Sequence, residues 1–120
     1  MQDQRRFARF TLEPGYTRVV IDSVDGRVVD PIEGHAYDLG EGGIRLEADE
    51  VPPAGARVGI LLELPGEGWP IAVSGRVIRA VDDGDELGAK RVAIAFHAFR
   101  SPFDRARLVR WLGRAGREAA

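Results

Sequence analysis

Ile71-Ala72-Val73-Ser74-Gly75-Arg76-Val77-Ile78-Arg79-Ala80-Val81 alternates Val73, Gly75 and Val77 on one face with Ser74, Arg76 and Ile78 on the other. A two-residue period with β-branched content predicts a strand with one buried face. The glycine inside it predicts a bend that carries the strand round a barrel corner. Upstream, Val58-Gly59-Ile60-Leu61-Leu62-Glu63-Leu64 is the other long strand, joined to the first through the turn Pro65-Gly66-Glu67-Gly68. Thr17-Arg18-Val19-Val20-Ile21 and Arg27-Val28-Val29 flank Asp25-Gly26, a dipeptide suited to φ > 0 in a tight hairpin. Gly43-Ile44-Arg45-Leu46 is a short alternating strand that Val51-Pro52-Pro53-Ala54-Gly55 interrupts. Downstream, Asp82-Asp83-Gly84-Asp85-Glu86 reads as a solvated acidic turn, and Arg91-Val92-Ala93-Ile94-Ala95-Phe96 closes the series. From about Phe7 to Phe99 the chain therefore reads as all-β.

The period changes at Ser101-Pro102-Phe103-Asp104, which supplies an N-cap, a proline at the first helical position and an early acid. A C-terminal helix is expected over 101–117. Leu108, Trp111, Leu112 and Ala115 fall on one face, fit to seal an end of the barrel, and Arg107, Arg110, Arg114 and Arg117 fall on another. The arginine face reads as solvated surface, with an acidic partner or a membrane surface as the alternative. A length of 120 residues with 44% hydrophobic content supports one modest core, hence a single domain over 1–120.

Composition removes several function classes. A formal net charge of −2 is unlike that of a general nucleic-acid binder, so no nucleic-acid polymer is expected as partner. The chain has no cysteine, which excludes disulfides, thiolate metal sites and thiol nucleophiles. Its start lacks the apolar core of a signal peptide, and no apolar run reaches the length of a membrane span, so a cytoplasmic protein without membrane insertion is the expectation. Ser23, Ser74 and Ser101 are the three serines, neither histidine stands in a nucleophile arrangement, and no phosphate-binding P-loop is present. No enzyme, no cofactor and no metal site are expected.

Two segments carry the functional reading. Arg5-Arg6-Phe7-Ala8-Arg9 offers guanidinium forks for phosphate oxygens, and Asp38-Leu39-Gly40-Glu41-Gly42-Gly43 offers a carboxylate that accepts from a guanine edge, beside glycines that permit close backbone approach. Sixteen of the seventeen basic residues are arginine, so the spacing of Arg5 and Arg9 alone means little; Arg110 and Arg114 repeat it. Together the segments describe a site for a phosphorylated purine. Arg79 fits either stacking on a guanine or a solvent-facing strand position. Phe7 and Phe10 read as core anchors, Trp69 as a barrel lid, and His35 as structural because it lacks a second ligand at metal-binding spacing.

The arrangement resembles the PilZ domain family, with its N-terminal RxxxR, its (D/N)xSxxG motif, a small antiparallel β-barrel and a C-terminal helix. Arg5 and Arg9 match the arginines, and Asp38, Gly40 and Gly43 occupy the three specified positions of the second motif, with Gly40 where most members have Ser. The resemblance implies a six-stranded barrel of bacterial origin that binds the second messenger cyclic di-GMP and does no chemistry on it. Arg5, Arg6, Arg9, Asp38, Gly40, Gly43 and Arg79 become the expected ligand-binding residues. Residues 1–10 would be a flexible arginine segment that the ligand orders, passing the signal to an unidentified protein partner. The alternatives are a degenerate PilZ-like adapter without nucleotide, and a barrel that binds single-stranded nucleic acid through Arg5, Arg6, Phe7, Arg9 and Phe10.

Overall fold

In a computed structural model, residues 9–11, 17–82 and 90–119 are described. Seven strands and one helix follow in chain order: β1 (Arg9–Thr11), β2 (Arg18–Val24), β3 (Arg27–Gly40), β4 (Gly43–Ala48), β5 (Arg57–Glu63), β6 (Ile71–Asp82), β7 (Lys90–Phe99) and α1 (Pro102–Ala119). The pairing order β3-β2-β5-β6-β7-β4 returns to β3 through the β3–β4 ladder, so six antiparallel strands close into a barrel. β1 continues along β3 on the edge that β2 uses further along that strand.

Alternation builds the core. Val19 and Ile21 from β2, Val58, Ile60 and Leu62 from β5, Val73 and Val77 from β6, and Val92 and Ile94 from β7 all point inward and are buried. The Asp25-Gly26 hairpin forms as expected, with φ of 51° and 80°, the doubly left-handed turn whose twist matches that of the flanking strands. Gly75 marks a close crossing of β6 over β7, because a Cβ there would lie 2.4 Å from the carbonyl oxygen of Ala95.

β3 is far longer than the Arg27–Val29 run its sequence suggests, at 14 residues. The stretch is disguised by Pro31, which sits where the β2–β3 register jumps from Ile21↔Ile32 to Ser23↔Val28. Its missing N–H costs no regular ladder bond there.

At the barrel end, the Ser101 hydroxyl accepts from the Asp104 amide at 3.3 Å, and Leu108 and Leu112 enter the core. Two expectations are corrected here. Trp69 is no lid: its side chain is 74% exposed. The arginine face is also divided, because Arg107 is only 13% exposed and lies under the β5–β6 turn. Its guanidinium donates to Glu67 Oε1 at 3.1 Å, to Asp104 Oδ1 at 3.3 Å and to the carbonyls of Trp69 and Pro70. Arg114 donates to the other oxygen of Glu67 at 3.1 Å. Helical periodicity places these arginines on one face, but only the long-range position of Glu67 decides which of them is drawn inward.

Candidate ligand-binding site

The two sequence motifs meet through the β1–β3 ladder. Arg9 pairs with Gly40, Phe10 with Leu39 and Thr11 with Asp38, so the last arginine of the first motif lies directly across a strand from the second. Arg5 and Arg6 lie outside the described residues, as do Phe7 and residues 83–86 of the acidic turn.

Asp38 faces outward because of a bulge. Leu46 pairs with Ala36 and Arg45 with Asp38, which leaves Tyr37 as the extra residue on β3. Ala36 and Leu39, on either side, are both fully buried, so Tyr37 and Asp38 occupy the outer wall in succession. Strict alternation would have turned one of them into the core. The Asp38 carboxylate is 14% exposed and lies 3.6 Å from the Arg45 guanidinium.

Gly40 and Gly43 are strand residues, joined through Glu41-Gly42. The expected glycine loop is therefore a tight strand-to-strand turn. Positive φ among the described glycines falls at Gly26, Gly55 and Gly66, so Gly40 holds a backbone open to other residues. Gly43 is required by packing, since a Cβ there would lie 2.6 Å from the carbonyl oxygen of Ile94. The turn is anchored on both sides: Gly42 O accepts from the Phe96 amide at 2.9 Å, and Glu41 pairs with Arg105 of α1.

Beside Asp38 the outer wall sinks into a cavity of about 560 Å³. Its lining includes Tyr37, Arg45, Ile78, Arg79 and Arg91. Arg79 on β6 and Arg45 on β4 share Ala93 of β7 as cross-strand neighbour. Two inter-strand spacings separate their backbones by ~10 Å over a small residue, a gap that admits a planar ring between two guanidinium-bearing strands. A second bulge makes Ile78 the extra residue between Val77↔Ile94 and Arg79↔Ala93, and its side chain is 63% exposed at this wall. Cations around an aromatic and an aliphatic surface suit a ligand with both phosphates and flat rings.

Of the residues expected from sequence, Asp38, Gly40 and the backbone of Arg9 come together on adjacent strands, and Arg79 enters the same region through the cavity. Tyr37, Arg45 and Arg91 were missed. Arg45 had a readable signal, standing between Ile44 and Leu46 on an alternating strand, whereas Tyr37 had none because its position depends on the bulge. Among the described residues no group of three or more His, Asp or Glu side chains is placed to hold a metal, and no helix is long and apolar enough to cross a membrane.

A closed six-stranded barrel with a C-terminal helix, and an arginine-bearing strand laid against an Asp-x-Gly-x-x-Gly turn, defines a class of small single-barrel domains. The chain belongs to the PilZ domain family, whose pattern it matches over residues 3–114. No curated protein matches it in sequence. Its fold is similar to that of the Bacillus subtilis inhibitor of motility MotI/DgrA, with a TM-score of 0.76, 18% identity, and coverage of 99% of this chain and 54% of that one. It is similar to Escherichia coli YcgR in complex with c-di-GMP, with a TM-score of 0.73 and 20% identity over 97% of this chain and 47% of that one. The chain thus spans about half the length of each of these two proteins. The PilZ domain of YcgR with c-di-GMP gives a TM-score of 0.69 at 21% identity, covering 98% and 95% of the two chains.

Proposed function

We propose that this chain is a cyclic di-GMP receptor of the bacterial cytoplasm, and that it performs no chemistry on the ligand. The observation that carries the reading is the β1–β3 register, which sets Arg9 opposite Gly40 with Asp38 two residues away on the same strand. Family membership and the c-di-GMP-bound structures of similar fold support it. In this reading Arg5, Arg6 and Arg9 hold the phosphates through charge-assisted bonds, and Asp38 accepts from the N1–H and exocyclic amine of a guanine. Gly40 and Gly43 bring backbone close to the ligand, and Arg79 stacks on a base.

In this reading the relay runs through the turn. Glu41 lies between the two motif glycines and is paired with Arg105 on α1. A ligand that draws the N-terminal arginines onto the barrel wall changes the surroundings of this turn, and the ion pair passes that change to the helix surface that a protein partner meets. Calorimetric titration of Arg9→Ala with cyclic di-GMP tests the assignment: affinity falls at least tenfold, as expected from a charge-assisted contact of about 1.5–3 kcal/mol. Unchanged affinity removes the arginine from the site.

One observation favours the adapter reading. Gly40 lacks the hydroxyl that the family's usual serine supplies at this position. A single neutral hydrogen bond is worth about 0.5–1.5 kcal/mol, a two- to twelve-fold change in affinity, which weakens a site held mainly by charge but leaves it in place.

A further inference from the structure

At the other end of β6 and β7 a second concavity opens, built from the outward faces of β2, β5, β6 and β7. Ser23 pairs with Gly59, and Gly59 with Ser74, so a row of small residues crosses three strands. Gly59 carries no side chain, and the Ser23 hydroxyl leans over it, 2.5 Å from where a Cβ would stand. The result is a trough of about 490 Å³ that continues, over the same three residues, into a further 320 Å³. His97 is the extra residue of a bulge on β7, where the pairing passes from Ser74↔Ala98 to Gly75↔Phe96, and it lines the first part.

One step along the strands, Arg57 and Arg76 are direct cross-strand partners. Like charges directly opposite destabilise a sheet, with Cα atoms about 5 Å apart. Among the described residues no ion pair offsets this repulsion. Among the described residues neither guanidinium has a carboxylate within ion-pair distance; Arg76 donates to the Gly55 carbonyl at 2.8 Å, and Asp25 accepts from the Arg57 backbone amide. Nor do the hydroxyls of Ser23 and Ser74 or the His97 ring have a hydrogen-bond partner among the described residues. The two cations and the imidazole thus line the same trough as these two hydroxyls. Asp22 and Arg100 line the further part of the trough, and the Asp22 carboxylate reaches the shared floor, its Oδ1 3.1 Å from where a Gly59 Cβ would stand.

We propose that the cationic end of this trough, at Arg57, Arg76, His97 and Ser74, binds the phosphoryl group of a small molecule, separately from the site beside Asp38. A tetrahedral dianion accepts from two guanidinium forks at once and cancels their repulsion, which a monovalent halide does less well. Asp22 disfavours a second anionic group further along and favours a ligand whose remainder donates hydrogen bonds.

The test is a titration of the full chain with inorganic phosphate at constant ionic strength, followed through amide and side-chain NMR shifts. Saturable shifts centred on Ser23, Ser74, Arg76 and His97 are expected, absent with chloride. Arg57→Gln and Arg76→Gln each weaken the response about fivefold or more, with the remaining spectrum unmoved. Both variants keep the cyclic di-GMP titration of the parent. A parallel titration with a nucleoside monophosphate distinguishes the source: tighter binding than phosphate, reversed by Asp22→Ala, marks a nucleotide, and equal binding marks free phosphate. Shifts that do not saturate, that chloride reproduces, or that survive both arginine substitutions overturn the proposal. A loss of cyclic di-GMP affinity in the trough variants would overturn it as a separate site.

Discussion

Arg107 and Arg79 are the same residue in opposite circumstances. Arg107 is nearly enclosed, and its donors are taken up by two carboxylates and two backbone carbonyls under the β5–β6 turn. Arg79 stands exposed on the barrel wall, beside a cavity that also collects Arg45 and Arg91. A guanidinium whose partners are all internal holds architecture together; guanidiniums gathered on an open concave wall retain donors for something that arrives from solution. In a chain with sixteen arginines this contrast, more than any spacing, separates structural from recognition residues.

The contrast breaks most visibly at Arg107. Arg107→Ala leaves Glu67 with Arg114 alone and Asp104 without its cation, both in partial burial, and frees the turn, which should cost about 3 kcal/mol and lower Tm by roughly 10 °C or more, read by thermal denaturation. Cyclic di-GMP affinity measured below the transition stays within about twofold. A stability loss under ~1 kcal/mol would mean that the enclosed network is decorative.

Asp38→Ala should reverse the pattern, lowering cyclic di-GMP affinity at least tenfold while changing Tm by only a few degrees, because one charge-assisted contact of about 1.5–3 kcal/mol is lost. Smaller effects are expected on the cavity wall. Arg45→Ala and Arg79→Ala each reduce affinity about three- to ten-fold, consistent with partly solvated cation–π or phosphate contacts of about 1 kcal/mol. If either of these matched Asp38→Ala in size, the cavity would be the main anchor and not a flank.

Much of this was legible in the sequence. The Asp25-Gly26 hairpin, the alternation of β4, β5 and most of β6, and the Ser101 cap each depend on a few neighbouring residues, and they appear where local rules put them. The features that escaped depend on partners distant along the chain. β3 extends through Pro31 only because the β2–β3 register shifts there, with three residues of β3 set against one of β2. Tyr37 and Asp38 share the outer wall, and Arg79 joins Ile78 there, only because their strands slip register, and a bulge leaves no mark in a two-residue period. The burial of Arg107 depends on Glu67, forty residues earlier. The candidate site was therefore readable as two motifs but not as a cavity.

The mildest test concerns Gly40, whose backbone lies outside the left-handed region. Gly40→Ser should tighten cyclic di-GMP binding about two- to ten-fold by restoring a hydroxyl. Weaker binding with the fold retained would show that this turn has been shaped around glycine.

If the arginine segment and the Asp38 strand form one ligand site, calorimetric titration of the unmodified chain with cyclic di-GMP reveals it. Saturable heat is expected with cyclic di-GMP, abolished or weakened at least tenfold in Arg9→Ala. No saturable heat at ligand concentrations up to the millimolar range, for a chain shown to be folded, would remove the receptor reading and leave the adapter reading in its place.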